Sequence, residues 1–83
     1  MPEVAKFDGI KILFYHNEHQ PAHFHVVYAE FKAVVLIDTL EIDKGWLPTP
    51  QMRKIRAWAF PRRQALAQAW LICQEGGDPG SIL

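Results

Sequence analysis

Near residue 48 the spacing of apolar residues changes from two to between three and four, which divides the chain into a strand-forming half and a helix-forming half. Before that point, Val4, Lys6 and Asp8 alternate with Ala5 and Phe7 ahead of Gly9, and residues 10–15 carry the β-branched and aromatic bias of a strand. A turn near Asp8-Gly9 joins these two strands. Residues 16–22 have no apolar period and contain Asn17 and Pro21, which predicts a connecting loop. Residues 23–28 alternate again, Ala29-Glu30 suits a tight turn, and residues 31–38 are expected as the second strand of a hairpin. Residues 40–42 are expected to add a short edge strand.

After the change, Thr49 is the N-cap candidate, with Pro50 at the first helical position, where its missing amide proton costs nothing. Met52, Ile55, Trp58, Ala59, Leu66, Ala69, Trp70 and Cys73 then share one face of a helix. Pro61 removes an intrahelical hydrogen bond, so a kink or break is expected there. In a straight helix Arg62 would face the sheet with Ile55 and Leu66, and a kink at Pro61 is expected to rotate it outward. Gly76-Gly77 predicts the helix end, and Ile82 or Leu83 is expected to pack back on the core. The expected fold is α+β, a small antiparallel sheet of four to five strands covered on one face by two C-terminal helical segments.

At 83 residues and 9.6 kDa the chain has room for a single domain, residues 1–83, and 49% hydrophobic residues suffice for a core. The single cysteine, Cys73, excludes an internal disulfide, and the opening residues lack the pattern of a signal peptide, so a cytoplasmic location is expected. The longest apolar run, residues 33–37, is far short of the roughly 18 residues of a membrane span. Charge is divided unevenly. Residues 1–43 hold seven acids and three lysines, and residues 44–74 hold six basic residues and no acid. Such a division predicts either self-complementarity, within the fold or in a homodimer, or a cationic surface for RNA or DNA in which Arg53, Arg56 and Arg63 are candidate contacts. Trp58 and Trp70 fall on the buried helix face and are expected in the core, whereas Trp46 lies beside a turn and is a candidate contact residue.

All four histidines, His16, His19, His23 and His25, lie within ten residues. His23 and His25 are two apart on an expected strand and project from the same face. His19 precedes them in the loop, where Pro21 stiffens the return, and Asn17 and Glu18 are oxygen donors within reach. Three chemistries suit this pattern. His19, His23 and His25 can ligate a divalent metal such as zinc with a position left for water. They can act as acid and base in phosphodiester cleavage. They can instead anchor the loop through hydrogen bonds to its backbone, or contact a partner.

The run from Tyr15 through His16, Asn17, Glu18, His19, Gln20, Pro21, Ala22, His23, Phe24 and His25 to Val26 resembles the signature of a small bacterial family, domain of unknown function 4160. The resemblance extends to Phe7, Gly9, Ile10, Tyr28, the Gly45-Trp46-Leu47-Pro48 segment, Trp58, Arg63, Leu66 and Trp70. His19, Pro21, His23, Phe24 and His25 match the pattern, whereas His16 falls at a position the family leaves open. Ala22 stands in place of a usual second proline, and Pro61 stands where the family carries helix-compatible residues. The resemblance implies a compact bacterial protein often encoded beside a second small protein, such pairs having been suggested to be toxin–antitoxin modules or regulators. The function expected on these grounds is a module that binds its small companion protein, with nucleic acid as a further partner. The alternative is a histidine-dependent ribonuclease toxin or metal-dependent hydrolase built on His19, His23 and His25.

Overall fold

The computed structural model describes residues 3–82. Five strands, β1 (Glu3–Phe7), β2 (Ile10–Leu13), β3 (His23–Tyr28), β4 (Phe31–Leu36) and β5 (Ile42–Gly45), form one antiparallel sheet in the order β1-β2-β3-β4-β5. Helices α1 (Thr49–Ala59) and α2 (Arg63–Gln74) follow, joined by a single 3-10 turn at Phe60–Arg62. No helix among the described residues is long and apolar enough to cross a membrane.

The sheet is a meander because each connection is a turn or loop that its residues favour. At Asp8 and Gly9 both φ angles are positive, 51° and 76°, the combination that two-residue hairpins require for their twist. Alternation along the strands sorts the side chains. Ile10, Ile12, Phe24, Val26, Ala33 and Val35 point to one face and are buried there with Met52, Ile55 and Ala59 of α1 and Leu66, Ala69, Trp70 and Cys73 of α2. The opposite face is left open. Its rows follow from the register: Lys6 pairs with Lys11, Lys11 with Val27 and Val27 with Lys32, while Leu13 pairs with His25, His25 with Val34 and Val34 with Lys44.

Several boundaries differ from the sequence expectation. β2 ends at Leu13 and β4 at Leu36, two residues early in each case, and β5 occupies Ile42–Gly45 rather than residues 40–42. Leu40 causes the last shift, since its φ of 59° and its amide bond to the Leu36 carbonyl place it in the turn, with its side chain buried. The N-cap is Pro48, not Thr49, and the helix begins without a side-chain cap because proline has no oxygen to offer.

The break falls where Pro61 predicts it. Arg62 is neither buried against the sheet nor turned out into solvent. Its guanidinium donates to the Trp58 carbonyl at 2.7 Å and lies 5.4 Å from the Trp58 ring, which is itself only half-buried and packs on Phe7. Trp70 is in the core as expected. Gly76, at φ 83°, closes α2 with its amide on the Cys73 carbonyl and the Gly77 amide on the Ile72 carbonyl, a Schellman ending. The tail returns to the sheet, where the Ile82 amide donates to the Val4 carbonyl at 2.6 Å, and the expectation for Leu83 lies outside the described residues.

Candidate metal centre

The loop between β2 and β3 is anchored at both ends and in the middle. Phe14 turns into the core while Tyr15, one residue on, stays half-exposed with its ring 4.1 Å from that of His25. Asn17 adopts a φ of 59°, a left-handed conformation that asparagine tolerates better than most residues. The next amide, of Glu18, donates to Gln74 Oε1 at 2.9 Å, which ties the loop to the last turn of α2. The Gln20–Pro21 peptide is cis.

This path sends the Glu18 side chain back over the start of β3. Glu18 Oε1 is hydrogen-bonded by His25 Nε2 and lies 3.2 Å from His23 Nε2. The His23 ring is oriented from its other nitrogen, since Nδ1 lies 2.8 Å from the Pro21 carbonyl oxygen. The Trp70 ring, 4.8 Å away at the end of the sheet, packs beside it. Ligand atoms of Glu18, His23 and His25 all lie within 4.8 Å of one another, and all three side chains are partly buried.

A carbonyl oxygen only accepts, so His23 Nδ1 must carry a proton to bond the Pro21 oxygen. In the neutral ring Nε2 is then a lone pair, and that lone pair faces the Glu18 carboxylate at 3.2 Å. Two acceptors at that distance repel unless a cation lies between them. The cation is either a proton, making His23 an imidazolium, or a metal ion held by the lone pair and the carboxylate together. In tetrahedral coordination at 2.0 to 2.1 Å, two ligand atoms stand roughly 3.4 Å apart, close to the His23–Glu18 separation; the His25–Glu18 contact is shorter, a hydrogen bond whose proton an ion would have to displace. A ligating histidine whose second nitrogen donates to a backbone carbonyl is the usual arrangement in metal sites, because that bond fixes tautomer and ring direction. Burial pushes the Glu18 carboxyl up, but the hydrogen bonds and positive charges of His25 and His23 together outweigh it, so its pKa falls below 4.5 and the group is an anion at neutral pH.

The three residues form one end of an open hollow of about 320 Å³, lined also by His19, Gln20, Pro21, Val34, Asp43 and Lys44. His19 is therefore beside the cluster and exposed, and it is not among the three converging groups. His16 and Asn17 are exposed at the loop's outer edge. The arginines are elsewhere. Arg56 Nε donates to the Leu40 carbonyl at 3.1 Å and Arg63 Nη1 to the Asp38 carbonyl at 3.0 Å, so both clasp the β4–β5 connection, and Arg53 is exposed on α1. Trp46 is 60% exposed and meets Phe31 edge-on at 5.1 Å.

Sequence reasoning passed over Tyr15, Gln74 and Lys44. Tyr15 carried a usable signal, since it is in the strand phase opposite to the core residues beside it, whereas Lys44 is in phase with Ile42 and reaches the open face only through the register irregularity between Val34 and Val35. Gln74 carried none, being 56 positions from the residue it binds.

The family model described as domain of unknown function (DUF4160) matches residues 9–71. No curated protein and no solved structure matches the chain.

Proposed function

The chain belongs to the DUF4160 family, and from the geometry of its loop and sheet we propose that it is a metal-dependent hydrolase whose divalent ion is held by Glu18, His23 and His25. The observation that carries this is the convergence of Nε2 of both His23 and His25 on the Glu18 carboxylate while His23 Nδ1 is committed to the Pro21 carbonyl. Two imidazoles and one carboxylate leave at least one position for water, and an ion so held lowers the pKa of that water toward neutrality. Zinc suits this donor set. His19 lines the hollow, and in this reading it takes a proton from the attacking water. The water oxygen bonds to the electrophilic centre, the bond to the leaving oxygen breaks, and the proton passes to that oxygen.

The experiment is metal analysis after dialysis against zinc, paired with turnover of a chromogenic phosphodiester. One zinc per chain is expected in the native protein and in His19→Ala, and much less in Glu18→Gln and His25→Ala. Turnover should fall about 10²- to 10⁴-fold in His19→Ala with its metal intact, the usual contribution of a general base. Equal zinc content in native protein and Glu18→Gln would sink the metal centre.

One observation favours a second role, that of a toxin–antitoxin-like or regulatory module that docks on a companion small protein. Trp46, Phe60 and Leu71 are large apolar side chains left 60%, 64% and 59% exposed. Each is a large apolar side chain that a companion would cover on docking. None of the three lines the metal hollow, so companion binding and hydrolysis are compatible on one molecule. Trp46→Ala and Leu71→Ala should weaken association with the companion in a pull-down of the co-expressed pair and leave zinc content unchanged.

A further inference from the structure

The open face of the sheet carries four of the chain's five lysines, and they came to it from both halves of the sequence. Lys6 on β1 lies beside Lys11 on β2, and Lys32 on β4 lies in the same row, one strand beyond Lys11 with Val27 between. Lys44 on β5 begins the next row, beside Val34 and His25. All four are exposed, and none is within salt-bridge distance of a carboxylate among the described residues, where the one paired lysine is Lys54, with Asp8. Strands stand about 4.8 Å apart, so from β1 to β4 the cations are spread over roughly 14 Å rather than gathered at a point.

Between the lysines the surface is apolar and aromatic. A second depression on this face is lined by Tyr15, His25, Val27, Val34, Lys32 and Lys44, and it adjoins the metal hollow through His25, Val34 and Lys44. The acids on this side lie at its margins: Glu3 at the β1 edge opposite Leu13, Asp43 on β5, and Glu18, whose single charge a divalent ion held there would more than neutralise.

From this arrangement we infer that the open face binds a single-stranded nucleic acid, its phosphates over Lys6, Lys11, Lys32 and Lys44 and its bases against Tyr15, Val27 and Val34. A single strand is the ligand that alternates anionic and flat aromatic groups as the face alternates cationic and apolar ones. An acidic peptide would satisfy the lysines and leave the Tyr15, Val27 and Val34 surface uncovered. A duplex presents its phosphates but keeps its bases stacked inside, and no helix stands on this face to enter a groove. The inference rests on the proposed hydrolytic reading only for what happens to the phosphate that reaches Glu18, His23 and His25.

The test is fluorescence anisotropy with a labelled ten-nucleotide single strand, as RNA and as DNA, and a blunt duplex of the same sequence, all in EDTA so that the metal plays no part. Single strands should bind more tightly than the duplex. The slope of log affinity against log salt should be about −2.8 if four phosphates are neutralised. Lys11→Gln with Lys32→Gln should make that slope shallower by about 1.4 and leave zinc content, measured separately, unchanged. Tighter binding of RNA than DNA would identify the 2′-hydroxyl as part of what is read, and equal binding would assign the face to single strands of either sugar. An unchanged slope in the double variant, duplex binding as tight as single-strand binding, or displacement of the strand by an equal concentration of poly-glutamate would each overturn the inference. Loss of zinc binding with strand binding retained would remove the metal centre alone.

Discussion

Gly45 is where a single side-chain atom decides whether β5 can join the sheet. Its φ is 85°, and a Cβ added there would fall on the Lys32 carbonyl oxygen and 2.8 Å from Ala33 Cα, both of them backbone that cannot move without breaking the β4–β5 ladder. Gly45→Ala should therefore cost about 3 kcal/mol or more, combining a left-handed alanine with the overlap. Gly76→Ala is the control, since its φ of 83° is similar but nothing lies within 4 Å. It should cost only about 1 kcal/mol, the conformational part alone. Urea unfolding of the two variants separates the effects, and equal losses would show that the close approach at Lys32 does not matter. Cys73 gives a pH-dependent counterpart. Burial pushes its thiol above the ordinary value of 9.0, with the negative charge of Asp78 adding to the effect. An acid whose folded pKa is raised favours the folded state below its unfolded pKa and loses that advantage as pH rises through the folded value. Stability should fall above pH 9 in the native protein more than in Cys73→Ala, and a native-state thiol assay at pH 8 should react far more slowly than one in urea.

Among the elements, the break between α1 and α2 tests how much one proline dictates. Pro61 sits in the 3-10 turn, but the turn is also held by Arg62 folded over Trp58 and by the burial of Ile55 and Ala59 on one side and Leu66 and Ala69 on the other. Pro61→Ala should keep the same helix content by circular dichroism and lose only about 0.5 to 1 kcal/mol, the entropy the proline removes from the unfolded chain. A gain in helicity with a large loss of stability would mean that the proline alone prevents a continuous helix. The elements themselves were legible because period and punctuation agree: alternation up to residue 37, Asp8-Gly9 and Ala29-Glu30 as turns, Gly76-Gly77 as the helix ending. β5 starts two residues and ends three residues later than expected because Asp43, Lys44 and Gly45 have poor strand propensity, and register with β4 overrides it. The site was half legible. Strand alternation puts His23 and His25 on one face, but the choice of Glu18 over His19 as the third converging group depends on the Asn17 conformation and on Gln74, neither of which local spacing encodes.

At the scale of the molecule, the acidic and basic halves of the sequence do not become two poles. Lys54 pairs with Asp8, Arg56 and Arg63 reach carbonyls of the acidic half, and the lysines of both halves meet on the open sheet face. The uneven charge thus supports the fold internally and gives a homodimer no opposite poles to join, while β1 and β5 stand as the edges of the sheet. The same interleaving makes the Glu18, His23 and His25 cluster a joint between distant segments. Glu18 belongs to a loop tied to the end of α2, and His23 and His25 belong to the central strand. An ion bound by all three would hold loop, sheet and C-terminal helix together, and it can bind this constellation only when they are assembled. Folding and metal binding must then be linked. At a free zinc concentration of about 100 times its dissociation constant the linkage is worth about 2.7 kcal/mol. For a domain of this size that corresponds to a rise in thermal midpoint of roughly 10 to 20 °C. Glu18→Gln keeps the shape of the side chain and removes the charge that balances the ion, so its midpoint should barely respond to zinc. Calorimetry of the two proteins with and without zinc provides the comparison, and an equal shift in both would mean that any bound ion sits elsewhere on the molecule.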